Sequence, residues 1–243
     1  MNATQQQIAW ITQQVMQELA AQGSSRSETL DAPSAPLQVQ VGISNRHIHL
    51  AREDMDILFG YGATLTRMKA VKQPGQFASE ECVTLRGPKG EIKNVRVLGP
   101  LRPTTQVEIS VADSFVLGVK APVRMSGDLQ DSPGIEIVGP KGSVKKASGT
   151  IVAWRHIHIS PEDAERHALR DGMEVSIQAQ GQRAGIMQHV VVRATQASVL
   201  ELHVDVEEAN AYGLRNGDLV NIITEQPPWL MFPLRRDCAR WSS

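Results

Sequence analysis

Cysteine is nearly missing: the 243 residues hold two, Cys82 and Cys238. Two thiols so far apart cannot form a disulfide framework, which suits a reducing compartment. Aromatic residues make up 4 % of the chain, too few for a large stacking surface. Net charge is also nearly absent, 25 basic against 26 acidic residues giving −1. Without a basic excess there is little counterion release to drive nucleic-acid binding, so any anion site must be local. Long apolar runs are missing too. Nothing approaches the roughly 18 residues of a membrane span, and residues 1–20 lack the basic start and unbroken apolar stretch of a secretory signal. We therefore expect an intracellular, soluble protein with neither nucleic-acid nor membrane partners. The length admits two domains of roughly 100 residues as readily as one.

Histidine is scarce as well, but it is concentrated. Four of the seven lie in Asn45-Arg46-His47-Ile48-His49-Leu50 and its near copy Trp154-Arg155-His156-Ile157-His158-Ile159. Residues two apart share a face of a β-strand, so both imidazoles of each pair can reach one metal ion; on a helix they would diverge. The flanks 39–43 and 149–153 read as strand entries. The likeness extends further. Asp54 and Asp163 each follow the second histidine by five residues, and Glu108 and His203 each precede a glycine, Gly118 or Gly213, by ten. Each half thus reads as a strand with His-x-His, a short helix, a β-rich stretch, then a strand bearing one more ligand, a helix and a glycine turn. The fold class expected is mainly β, two related β-barrel domains with short helices. The first half offers His47, His49 and Glu108, and the second His156, His158 and His203. Three protein ligands with one position open is the arrangement of a catalytic zinc, and two halves imply two ions.

Residues 1–22 carry Ile8, Ile11, Val15, Met16 and Leu19 at helical spacing, an amphipathic helix suited to docking on a partner or to self-association. Residues 23–37 read as a flexible linker, 38–149 and 150–224 as the two barrels, and 225–243 as a tail that either covers a subunit surface or is disordered. His167 and His189 fall outside the repeated positions and read as bystanders. Cys82, on a Val-Thr-Leu strand, reads as a small buried side chain. Arg46, Lys89, Arg96 and Arg102 lie near the same strands. Arg102 stands six residues before Glu108 and can enter the metal site from the preceding loop, where a guanidinium can grip a phosphate with two prongs.

Several blocks in order, Ser44 to Leu50, Gln73-Pro74-Gly75-Gln76, Gly87-Pro88-Lys89-Gly90, Asn94 to Arg102, Gln106 to Ser110, Met125-Ser126-Gly127 and Arg155 to His158, resemble the PduL family over residues 38–223. These are the phosphotransacylases, or phosphate propanoyltransferases, of bacterial microcompartments. The resemblance implies two β-barrels sharing a site with two zinc ions, held by His47, His49 and Glu108 and by His156, His158 and His203. It implies Arg102 as the phosphate-binding residue and Ile43, Ser44, Asn45, Lys89, Arg96 and Asn210 as contacts to coenzyme A. Residues 1–22 then resemble an encapsulation peptide that engages microcompartment shell or lumen proteins, placing the enzyme in the compartment lumen. The implied reaction converts propanoyl-CoA or acetyl-CoA plus phosphate into acyl phosphate plus CoA. A zinc-dependent thioester hydrolase and a non-catalytic zinc-stabilised scaffold are the other classes the residues allow.

Overall fold

The computed structural model describes residues 37–224. The head helix, most of the linker and the tail expected from the sequence lie outside the described residues. The elements are β1 (Gln38–Ser44), β2 (His47–His49), α1 (Arg52–Phe59), β3 (Arg67–Ala70), β4 (Phe77–Arg86), β5 (Glu91–Gly99), β6 (Gln106–Glu108), α2 (Val111–Leu117), β7 (Val123–Arg124), β8 (Glu136–Val138), β9 (Ser143–Lys145), β10 (Thr150–Ala153), β11 (His156–Ile159), α3 (Pro161–Arg166), β12 (Glu174–Ala179), β13 (Gly185–Ala194), β14 (Glu201–Asp205), α4 (Val206–Tyr212) and β15 (Leu219–Ile223). None of these helices is long and apolar enough to cross a membrane.

The architecture is mainly β, with short helices, as expected. Six strands close into a barrel in the order β1-β14-β11-β13-β12-β15. The other nine form an open, half-barrel sheet, β7-β10-β6-β2-β5-β4-β8-β9, with β3 paired to β4. This second sheet does not close. Its edge strands β7 and β9 are two and three residues long, and short edges limit edge-to-edge association.

Each sheet covers its own core. In the barrel, Val39, Val41, Ile157, Ile159, Leu202 and Val204 bury together, and under the half-barrel sheet Ile48, Leu50, Val83, Val95, Val97 and Val107 do so. Period-two alternation determines what the opposite face carries. With Ile48 and Ile157 turned inward and fully buried, His47, His49, His156 and His158 must point to the other side of their strands.

The halves exchange strands, which the sequence boundaries at 38 and 150 do not anticipate. β1 precedes the first His-x-His yet lies in the closed barrel, parallel to β14 and antiparallel to β15. β10 precedes the second yet lies in the half-barrel sheet, parallel to both β6 and β7. The exchange is symmetric in register: Gly42, five residues before His47, is opposite His203, and Ile151, five before His156, is opposite Glu108. Alternation says which face a strand buries, not which strand it sits beside. A fragment 150–224 should therefore fail to fold cooperatively, because β14 and β15 would present bare edges where β1 belongs; a synthetic 37–45 peptide added in trans should restore a cooperative melt followed by circular dichroism.

Helix caps repeat the duplication. Ser110 and Asp113 form a capping box on α2, as Asp205 and Glu208 do on α4, and both helices end at a left-handed glycine, Gly118 and Gly213. Ser160 caps α3 with Pro161 in the first turn. The arginine before each His-x-His then ties back to the third helical residue: Arg46 Nε lies 2.8 Å from Asp113 and Arg155 3.2 Å from Glu208. These paired ties hold each ligand strand against the helix that follows its partner strand.

Candidate active site

Strand register assembles two triads. β2 runs antiparallel to β6 with His47 opposite Glu108, and β11 runs antiparallel to β14 with His156 opposite His203. His49 and His158, two residues on, share the same faces. In each triad one ligand atom per residue lies within 4.8 Å of the others. Both triads line a single cavity of about 750 Å³.

Hydrogen bonds set the tautomers that a metal needs. His47 Nδ1 lies 2.8 Å from the Asn45 carbonyl and His156 Nδ1 2.7 Å from the Trp154 carbonyl. A carbonyl can only accept, so each Nδ1 carries the proton and each Nε2 presents its lone pair to the cavity. His203 Nε2 lies 2.8 Å from Glu201 Oε2, which by the same reasoning leaves its lone pair on Nδ1. Nε2 of His156 and His158 are 3.1 Å apart. Two nitrogens bound at about 2 Å to one tetrahedral zinc stand roughly 3.3 Å apart, so the donor set fits a divalent ion.

Charge states agree with that fit. Burial, reinforced by the His47 and Arg102 charges, lowers His49 to about 3. Burial and His203 lower His156 to about 4, and burial with His156 and His203 lowers His158 to about 2. For Glu108 burial works the other way, but His47, His49 and Arg102 outweigh it and hold the carboxyl well below its usual range. Near neutral pH His49, His156 and His158 are therefore neutral and the Glu108 carboxylate ionised, the states in which each binds a cation.

A family model described as phosphate propanoyltransferase matches residues 40–215. A phosphate propanoyltransferase of Rhodopseudomonas palustris is 56 % identical over 91 % of this chain and 99 % of its own length. One from Rhodobacter capsulatus is 56 % identical over 86 % and 94 %, and one from Thermotoga maritima 53 % over 75 % and 88 %. The chain belongs to the phosphate propanoyltransferase family. It is thus an acyltransferase.

Within this phosphate propanoyltransferase scaffold the other expected residues divide. Ile43, Ser44, Asn45, Arg96 and Arg102 line the cavity with the two triads. Arg102 donates from Nη1 to Ser126 Oγ at 3.1 Å, and Arg96 donates to the Ser79 and Glu80 carbonyls, both at 3.0 Å. Lys89 and Asn210 do not line it. Lys89 is exposed in the β4–β5 turn, its side chain against Gly118, and Asn210 is exposed on α4. Cys82 is half-buried and also outside the lining. His167 and His189 are exposed and belong to neither triad.

Sequence reasoning missed the side chains that support the ligands. Gln106 Nε2 donates to both Glu108 and Ser126, and its Oε1 accepts from the Gly127 amide. Glu201, beside His203, also accepts from Gln73 Nε2 at 3.1 Å. The signal was present, since Gln106 and Glu201 each stand two residues before a predicted ligand and alternation places them on its face. Each half carries one carboxylate in this pair of positions, as ligand in Gln106-x-Glu108 and as supporter in Glu201-x-His203.

The depressed histidines predict a pH dependence for the metal-free protein. Unfolded histidine titrates near 6.5, so as pH falls below about 6.5 the unfolded chain takes up protons that folded His49, His156 and His158 refuse. Stability should be fully present above pH 6.5 and decline from there to about pH 2, the folded value of His158, as urea midpoints measured on chelator-treated protein would show.

Proposed function

We propose that this chain exchanges the thiolate of a short-chain acyl-CoA for inorganic phosphate, giving acyl phosphate and free CoA, with one zinc ion on each triad. The observation that carries the reading is the convergence of two three-ligand triads and Arg102 on one cavity. Arg102 is half-buried, braced by Ser126 and adjacent to Glu108, so its guanidinium is held in one orientation toward the triads. Such a fork grips phosphate in two-pronged fashion and presents a third oxygen to the thioester carbonyl. That oxygen forms the new bond to the carbonyl carbon as the carbon–sulfur bond breaks, and the electron pair leaves on sulfur. A divalent ion bound at a triad supplies Lewis-acid stabilisation for charge on oxygen or sulfur. Ile43, Ser44, Asn45 and Arg96 line the cavity and would hold the pantetheine arm within it, and Lys89 and Asn210, being exposed, would meet only a part of CoA that extends beyond it.

Propanoyl and acetyl substrates differ by one methylene, worth about 1–3 kcal/mol in a fitted pocket, so both are proposed as substrates and their rate ratio names the preferred one. We also propose that residues 1–22 direct the enzyme to the lumen of a bacterial microcompartment through shell or lumen proteins, on the strength of their amphipathic pattern.

Purified protein, assayed for thiol release from propanoyl-CoA and acetyl-CoA, should release CoA only when phosphate is present and should contain about two zinc per chain. Release without phosphate would make it a thioester hydrolase, and no release from fully metallated protein would make it a scaffold. Cys82→Ala should retain full turnover, because Cys82 lies outside the cavity; loss of turnover with zinc still bound would replace direct attack with an acyl-enzyme route.

A further inference from the structure

Arg193 entered none of the sequence readings, and its surroundings single it out. It lies on β13 opposite His158, lines the cavity, and is half-buried. The arginines flanking the triads have carboxylate partners, Arg46 in Asp113 and Arg155 in Glu208, but among the described residues no carboxylate pairs with Arg193. Its charge is close enough to depress Arg102, His156 and His158, which places it near the phosphate arginine and the second triad together.

The duplication shows that packing does not call for a charge at this position. In the half-barrel sheet, β5 runs parallel to β2 with His47 opposite Arg96 and Ile48 opposite Val97, so Leu98 stands opposite His49. The second half has arginine where the first has leucine. Conversely, the first half supplies Arg102 from the loop after β5, and the stretch after β13, Thr195-Gln196-Ala197-Ser198, has no basic residue. Arg102 from the first half and Arg193 from the second thus line the same cavity as the two triads. Two guanidiniums beside two cation sites, with Glu108 the one triad carboxylate among them, repel one another, and an anion of more than one charge between them relieves that repulsion.

We propose that Arg193 is a second phosphate-holding residue, forming with Arg102 a clamp on the phosphoryl group that enters as inorganic phosphate and departs in the acyl phosphate. This rests on the phosphate-transfer reading above. Inorganic phosphate carries between one and two negative charges near neutral pH, and a single fork engages only two of its oxygens, leaving an oxygen and charge for a second to meet.

The test is steady-state kinetics of zinc-loaded wild type, Arg193→Met and Arg193→Lys, with phosphate and propanoyl-CoA varied separately. A thermal-shift titration with phosphate alone on the same proteins supplies a readout independent of turnover. Loss of a charge-assisted hydrogen bond should raise KM for phosphate roughly 10- to 100-fold in Arg193→Met, with KM for propanoyl-CoA within about twofold and the phosphate-induced stabilisation lost. Arg193→Lys should recover part of both, which also keeps the test informative if the methionine variant folds poorly. A rise confined to KM for propanoyl-CoA would assign Arg193 to the phosphates of CoA and overturn the proposal, as would parameters equal to wild type. If wild type itself shows neither phosphate-dependent thiol release nor a phosphate shift, the functional reading fails first; if it shows both and Arg193→Met matches it, only this inference fails.

Discussion

His158→Ala should lower kcat by roughly 10³-fold and release one of the two metal equivalents proposed above. The substitution removes one donor of three and leaves His156 Nε2 without the nitrogen 3.1 Å away that completes its pair. Lewis-acid stabilisation by a bound ion is worth several kcal/mol, and each 1.36 kcal/mol is tenfold in rate. The fold should survive, because the side chains that pack are its neighbours: Ile157 and Ile159 are fully buried on the opposite face of β11. Metal content by atomic absorption, circular dichroism and kcat measured on one preparation separate the possibilities. Full activity with one metal lost would make that triad structural, and both metals lost would show that the triads bind cooperatively across the cavity.

The second large effect is expected at Arg102. Arg102→Met keeps the length of the side chain but removes the fork, and it should reduce kcat/KM for phosphate by about 10²-fold, the loss of a bidentate charge-assisted interaction of about 3 kcal/mol. KM for propanoyl-CoA should change by no more than about twofold. Arg102→Lys should recover little, because an ammonium is a point charge that cannot reproduce the planar pair of donors set by Ser126. Equal losses for both substrates would instead mean that Arg102 shapes the cavity through its bond to Ser126 and the backbone bond from its amide to Leu50.

The two predictions rest on residues of differing legibility. His158 could be read from its hexapeptide because strand alternation is local: once Ile157 is known to face a core, the imidazoles on either side must face away. Arg102 was suggested by its distance from Glu108, but a loop residue has no period to say where its side chain points, and only the bond to Ser126 settles that orientation. Glu201 and Gln106 obeyed the same alternation as the ligands and could have been read from it. Arg193 could not, since its position opposite His158 depends on the register of β13 against β11, which no spacing within either strand reveals.

The sequence by itself determined the β class, the duplication, the short helices with their glycine turns and the six side chains that meet in two triads, because each follows from short-range geometry: a period of two and a glycine free to turn left-handed. Only the tertiary structure decided that β1 completes the barrel of the second half and β10 joins the sheet of the first, that one sheet closes while the other stays open, and that Lys89 and Asn210 lie away from the cavity that Arg193 enters. Those outcomes depend on pairing between segments far apart in the chain. Period-two patterning specifies the face of a strand and leaves its neighbour free, so the choice of partner is made by which edges can be satisfied and which cores filled when the whole chain is packed.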